Sequence, residues 1–369
     1  MLSNPLDCSS VGPRLVGPRS VGLRSVGPRS VGPRSVVPRA LALYLCATVT
    51  AFADRSDDAA FLTHRSQHTL NALIGLPTPA ARAVQTLEWQ FALEHNNQFM
   101  GGVSADELLV LDGESSELVI RHRQILSPCW QGEAVLPLVF HSGGLFDRAI
   151  DDWHEFFGLP NANRGAAPFD ELNYIYTDSN GELRGINSSE SGLGDIQLSI
   201  QRFIGCFAPT DSGKTEPIAR IGIKLPTGSV SSLQGSGRFD LYADWQSPVW
   251  RLTERWRFGT TIGMLLIGRN SKLPDQQSIA AYGSLGTQFI AWQNLRLLAQ
   301  LDWHTPFYES ELRELGSTAV SVSFGLRWLL GSNHTIEMSF SEDAAVDTTP
   351  DITGRLAWTF RPRLPSARR

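Results

Sequence analysis

Charge is scarce in this 369-residue sequence, with 19% of residues Asp, Glu, Lys or Arg against about 25% in an ordinary soluble domain. Basic residues are not in excess either: the formal charge is −5 and the pI 5.9, which removes the electrostatic footprint a nucleic-acid binder needs. Beyond residue 53 no stretch reaches the roughly 18 consecutive apolar residues of a transmembrane helix. Cysteine is limited to four residues. What is present excludes a disordered or collagen-like chain: 42% apolar residues, 33 Gly without a triplet period, and 10 Trp. The length accommodates two domains of about 100–200 residues or one large β-barrel.

The first 53 residues read as export rather than fold. Residues 10–39 are pentapeptides in register, Val11 to Val36 each followed three residues later by Arg14 to Arg39, with mostly Gly and Pro between. A segment with no apolar face to bury is expected to be disordered, and the favoured explanation is a mis-set start codon; a basic arm on phosphates is the alternative. Residues 40–53 then supply an apolar core and the small-x-small end Ala51-Phe-Ala53, the pattern of a signal peptide cleaved near Ala53. Removing them takes six Arg and one Asp, so 32 less six leaves 26 basic and 37 less one leaves 36 acidic residues, a net of −10. The two cysteines that remain, Cys129 and Cys206, permit a disulfide in an exported chain, with two buried thiols as the alternative.

Past a linker at residues 54–86, period two dominates residues 87–360. Between Leu252 and Leu266, one face carries Leu252, Trp256, Phe258, Ile262, Met264 and Leu266, and the other Thr253, Arg255, Arg257, Gly259, Thr261 and Gly263. Residues 238–246, 295–303 and 318–330 repeat the alternation. Such runs exceed the roughly 5–6 residues of a globular strand. A soluble sandwich buries its apolar face, whereas a membrane barrel turns that face to lipid, lines its lumen with the polar one and gathers aromatics at the two interfaces. Trp245, Trp256, Trp303, Trp328 and Trp358 at strand ends favour the barrel.

Further strands are expected at 87–99, 107–111, 117–125, 131–140, 171–176, 196–204, 218–225, 279–291, 335–340 and 352–360, separated by turn signals such as Asp112-Gly113. The expectation is an all-β fold, a single transmembrane antiparallel barrel of 12 or 14 strands with one short amphipathic helix. That helix is read between Gly144 and Gly158, where Phe146, Ile150, Trp153 and Phe157 recur at helical spacing. The closing segment Leu356-Ala-Trp-Thr-Phe360 is similar to the C-terminal signal read by the barrel assembly machinery, although a tail at 361–369 follows it.

The string around His141, Gly143, Gly144 and Asp147, continuing through Trp153, His154, Gly158 and Pro160, resembles the signature of an uncharacterised bacterial family, domain of unknown function 3187. Leu111-Asp-Gly-Glu114, Lys224-Leu-Pro-Thr-Gly228 and Gly235-Ser-Gly237 fit it as well. The resemblance implies an outer-membrane barrel without an assigned substrate and supplies no catalytic residue.

Several constellations carry candidate chemistry. Asp211-Ser-Gly-Lys-Thr215 has a phosphate-loop ending, but Ala208 stands where glycine is required, so a hairpin turn is expected. Asp147, Asp151 and His154, with His141, are weak candidates for a divalent metal, since they stack at i,i+3 and i,i+4; a wet helix face is the plainer reading. A barrel hydrolase needs Ser and His on one strand face, and only His64-Arg-Ser66 has that spacing, while His141-Ser142 are adjacent. The polar parity collects Arg220, Lys224, Arg238, Asp240, Asp244, Arg251, Arg255, Arg257, Arg296, Asp302, Arg327, Glu337 and Arg355 as lumen-lining candidates. They either neutralise one another across a closed interior or line a narrow route for a small solute.

The expected function is therefore a non-enzymatic pore or uptake channel for a small solute in the outer membrane of a Gram-negative bacterium. A non-conducting structural or interaction barrel, and a barrel lipid hydrolase, are the alternatives. Expected partners are outer-membrane lipid, the assembly machinery through the last strand and an unknown small solute, with no nucleic acid and no cofactor.

Overall fold

Side chains that alternate along a strand must face opposite sides of the sheet, so a long alternating chain folds stably only if each side finds its own solvent. The computed structural model of the protein describes residues 59–80, 87–144, 156, 170–178, 183–206, 215–344 and 348–362, all in the unit Phe52–Arg369. In chain order the strands are β1 (Leu87–Val103), β2 (Leu108–Ser127), β3 (Trp130–Ser142), β4 (Asn173–Thr177), β5 (Leu183–Ile186), β6 (Glu190–Leu193), β7 (Gln197–Phe203) and β8 (Ile218–Lys224). There follow β9 (Asp240–Gln246), β10 (Trp250–Arg251), β11 (Trp256–Leu266), β12 (Ile279–Ile290), β13 (Leu295–His304), β14 (Ala319–Leu330), β15 (His334–Asp343) and β16 (Ile352–Phe360). Two single-turn helices, α1 (Thr69–Ala72) and α2 (Arg313–Gly316), complete the described elements.

Twelve strands close into one antiparallel barrel in the order β1, β2, β3, β7, β8, β9, β11, β12, β13, β14, β15, β16. The ring is sealed where Trp89 pairs with Phe360 and Asn97 with Ile352. Closure leaves no barrel edge unpaired, which is what a strand in lipid requires. The four short strands lie outside the ring: β4 pairs with β2 and carries β5, β6 pairs with the end of β3, and β10 with β11. β4 falls in the stretch expected as a strand at 171–176 but lies outside the ring, and the strands expected at 107–111 and 117–125 are one continuous strand, β2; together these bring the count to 12 rather than 14. The turn expected at Asp112-Gly113 is absent, because β2 runs through it as one 20-residue strand. Gly113 meets Gln98 in register, and its φ of +144° with the Leu172 side chain against it leaves no room for a larger residue.

The two faces are inverted relative to a soluble sheet. Along β11, Ile262 and Met264 are 57% and 55% exposed, while Arg257 and Thr261, of the opposite parity, are buried. Leu297, Phe324, Met338 and Leu356 continue the exposed apolar belt around the ring, an arrangement that water would penalise and hydrocarbon satisfies. Aromatics gather on the closing strands: Phe91 stacks on Trp358 at 5.8 Å, His334 on Phe360 at 5.1 Å, and Trp89 lies 4.3 Å from the His122 ring.

The ends differ. At one, hereafter the turn end, β2 and β3, β12 and β13, and β14 and β15 are joined by brief turns and residues 204–217 and 247–255 make the longer links; at the other, the loop end, residues 143–196, 225–239, 267–278 and 305–318 make long connections, with shorter ones at 104–107 and 344–351. Cys129 and Cys206, offered by the sequence as a pair, form a disulfide across the turn end, tying the β2–β3 turn to the segment after β7. The helix expected between Gly144 and Gly158 lies outside the described residues apart from Gly144 and a helical Phe156.

Candidate functional site: an occupied lumen

The lumen is filled by the chain's own N-terminal segment. Residues 59–80, expected as part of a linker, enter near the turn end, rise to the loop end, reverse and descend. Phe61 lies against Gly259 and Gly286, which pair directly across β11 and β12; an added Cβ at Gly286 would fall 2.5 Å from the Phe61 ring. These two glycines make the recess that accepts it.

At the apex, α1 is capped by His68, whose ring accepts from the Asn71 N–H at 3.4 Å. Leu70, Leu73, Ile74 and Leu76 pack there with Leu109, Tyr174, Phe307 and Leu315 into the main apolar cluster. Gly75, with φ +72°, turns the chain beside the Lys224 stem, where any side chain would collide. The descent ends with Ala80 on Phe203 and Ile218 at the turn end.

Polar bonds hold both branches. The Gln300 amide reads the rising branch like a strand partner, accepting from the Leu62 N–H and donating to the His64 carbonyl, both at 2.9 Å. Arg327 Nη2 donates to the Phe61 carbonyl and to Glu337, both at 2.6 Å, and the Thr63 N–H donates to Glu337 at 3.1 Å. Arg65 reaches Ser284 Oγ at 2.7 Å and Asp302 at 3.5 Å. Ser66 Oγ lies 2.7 Å from Thr353 Oγ1. Tyr308 donates to the Leu70 carbonyl at 2.5 Å, and Arg220 to the Thr78 carbonyl at 2.8 Å. Backbone groups crossing a barrel interior need such partners, and the inward polar parity supplies them.

Eleven of the thirteen lumen-lining candidates are buried: Arg220, Lys224, Arg238, Asp240, Asp244, Arg257, Arg296, Asp302, Arg327, Glu337 and Arg355. Arg220 pairs with Asp244 at 2.5 Å, Lys224 with Asp195 at 2.6 Å and Asp240 at 3.0 Å, and Arg355 with Glu337 at 3.3 Å. Arg251 and Arg255 are not in the lumen; both are exposed at the turn end. The chain bends there, with the Arg255 and Trp256 N–H groups donating to Thr253 Oγ1 at 3.2 and 3.0 Å, so β11 starts at Trp256; from there the faces are those read from the sequence, but residues 252–255 are not part of the alternating strand. Arg257 and Arg296 serve turns, their guanidinium groups donating to the Thr253 and Trp292 carbonyls at 3.0 and 2.8 Å.

His64 is not aligned with Ser66. Its Nδ1 lies 3.0 Å from Glu94 and its Nε2 2.8 Å from Ser341 Oγ, and Ser341 also meets Ser323 at 2.6 Å. Acid, imidazole and hydroxyl thus stand in line, with His64 and Ser341 buried and Glu94 at the cavity, as a link between the hairpin and the wall. His141 bonds Ser115 Oγ at 2.8 Å and the Leu233 carbonyl at 3.0 Å, not Ser142. Gly143 and Gly144 of the signature follow it in the described chain, whereas Asp147, Asp151, Trp153, His154, Gly158 and Pro160 lie outside the described residues, as do 211–214. Among the described residues no group of three or more acidic, His or Cys side chains could hold a metal ion.

Sequence reasoning placed the inward charges but missed their occupant. The signal was present in Leu70, Leu73, Ile74 and Leu76, an apolar cluster in a stretch without strand period.

Between the descending branch and β2–β3 a cavity of about 120 Å³ remains, room for several waters or a small organic molecule. Its lining mixes charged groups, Glu94, Glu117, Arg121 and Arg355, with the apolar Val119, Val135, Pro137 and Val139 that neighbour Glu117 and Arg121 on β2 and β3.

Residues 39–361 match a family described as a protein of unknown function, DUF3187. No curated protein matches the sequence. Among solved structures, the chain is similar to the COG4313 outer membrane channel from Pseudomonas putida F1, at 14% identity and TM-score 0.49, over 76% of this chain and 96% of that one. It is similar to the P. putida toluene transporter TodX at 11% identity and TM-score 0.37, over 77% and 92%, and to the NanC porin at 9% and 0.40, over 75% and 100%. The likeness is one of barrel architecture.

Proposed function

The chain belongs to the DUF3187 family, and from that premise we propose that it is a plugged outer-membrane barrel, a non-enzymatic channel that admits a small solute when the 59–80 hairpin shifts. The observation that carries this reading is the way the hairpin is held. Besides the apolar packing of Phe61 and of Leu70, Leu73, Ile74 and Leu76, it is fastened to the wall by side-chain hydrogen bonds and ion pairs, each of which water can replace at a net cost of about 0.5–3 kcal/mol, and it shares no strand pairing with the ring, which keeps its complete ladder without it. A plug that shared strand pairing could not move without opening the barrel.

The exposed apolar belt supports a place in lipid. Brief turns at one end and long connections at the other support the usual orientation, turn end toward the periplasm of a Gram-negative cell. Export with cleavage near Ala53 would leave the rising branch close to a free chain end. The alternating β16 supports handling by the barrel assembly machinery.

Ser66 and Thr353 offer the test, since their short side chains already meet at 2.7 Å. In planar bilayers the parent protein should open, the oxidised Ser66→Cys/Thr353→Cys pair should stay shut, and reductant should restore its openings, with each single variant as control. A parent that never opens, or an oxidised pair that conducts like it, supports the competing reading of a permanently closed structural barrel.

A further inference from the structure

Most charges around the interior cavity are already matched. Arg355 faces Glu94 at 3.6 Å and Glu337 at 3.3 Å, Arg65 faces Asp302 at 3.5 Å, and Arg121 faces Glu133 at 3.8 Å. Glu94 also holds His64 at 3.0 Å. Glu117 differs. It stands directly opposite Glu94 across β1 and β2, both inward, and its carboxylate has no hydrogen bond or ion pair among the described residues. Like charges directly opposite on adjacent strands repel, and a half-buried carboxylate without a partner is costly. The fold tolerates this pair in a cavity whose lining beside Glu117 is apolar, Val139 across the strand pair, Val119 and Pro137 next to them, Val135 beyond, and Leu73 and Leu76 from the hairpin.

We infer that this cavity binds a small organic cation with an apolar body, its ammonium group on Glu117 and Glu94 and its hydrocarbon part against the valine and proline wall. A bare metal ion would leave the apolar wall unused, and an anion would meet the two carboxylates while the neighbouring arginines are engaged elsewhere. The inference rests on the channel reading only in taking the ligand to be a transported solute, since binding itself needs no opening.

The probe is n-butylammonium, titrated calorimetrically into the full protein in detergent, beside sodium butyrate and sodium chloride. Saturable butylammonium binding is expected, weakened roughly tenfold or more in Glu117→Gln and in Val135→Phe, which fills the cavity, with no binding of butyrate. Retained heat-modifiable migration shows that each variant is folded. No butylammonium binding by the parent, equal binding by Glu117→Gln, or butyrate binding as tightly as the ammonium would overturn the inference. A protein that binds butylammonium but never conducts would count against the channel alone, and one that conducts but ignores butylammonium against the cation site alone.

Discussion

Glu94 and Glu117 face each other across the first two strands of the barrel, yet only Glu94 is compensated, by His64 from the hairpin and Arg355 from β16. The two carboxylates share a register position and differ in what crosses the lumen in front of them. Their substitutions should therefore act in opposite directions. Glu117→Gln removes a repulsion and should raise the unfolding midpoint by a margin worth about 0.2–1 kcal/mol. Glu94→Gln strips a buried pair and should cost about 3–5 kcal/mol. Heat-modifiability on gels across a temperature series reads both.

Phe61 depends on the absence of side chains at Gly259 and Gly286. Gly286→Val should dislodge the rising branch while leaving the β12 ladder intact, since valine suits a strand. Single-channel recording should then show more frequent openings than the parent, with unchanged folded migration.

Arg327 joins Glu337 to the Phe61 carbonyl, so Arg327→Ala should loosen the hairpin and destabilise the fold by about 1.5–3 kcal/mol, the loss of charged hydrogen bonds, while Glu337 keeps Arg355 at 3.3 Å. Arg255→Ala, at an exposed turn, should change neither conductance nor the denaturation midpoint by more than about 0.5 kcal/mol. Equal effects would mean that lumen and turn arginines are not distinguished as described.

Met264 points outward from β11 and Thr261 inward. Met264→Arg should cost about 2–4 kcal/mol if the position is near the bilayer midplane and lower the yield of lipid-inserted protein in vesicle folding assays. Wild-type insertion by that variant would remove the lipid-facing assignment.

Cys129 and Cys206 join two turn-end segments 77 residues apart in sequence. Their reduction, or Cys129→Ser, should cost about 2–4 kcal/mol of stability, seen as a lower urea midpoint, without altering conductance, because the backbone bonds of Phe203 to Cys129 and Cys206 keep the seat of Ala80 in place without the S–S bond.

Much of this molecule was legible without coordinates. Trp256 to Leu266 and Leu295 to Trp303 announce their facing through the pleat, because a period of two is a local property of the backbone; twelve strands of such parity imply a wet inside and a dry outside. Where the period was interrupted, reading failed for local reasons: Thr253 recruits two N–H groups in a turn that ends the alternation before Arg255 can take an inward place, and Asp112-Gly113 carries a turn signal that pairing with Gln98 and Phe99 overrides.

The sequence by itself determined the all-β class, the lipid-facing stripe and the set of inward charges, since these follow from spacing along one chain. Only the tertiary structure decided what those charges are for. His64 meets Ser341 across 277 residues and Leu62 meets Gln300 across 238; contacts so remote leave no period to read. They convert a ring of lumen charges into the socket of an internal hairpin, and they leave Glu117 facing the cavity without a partner.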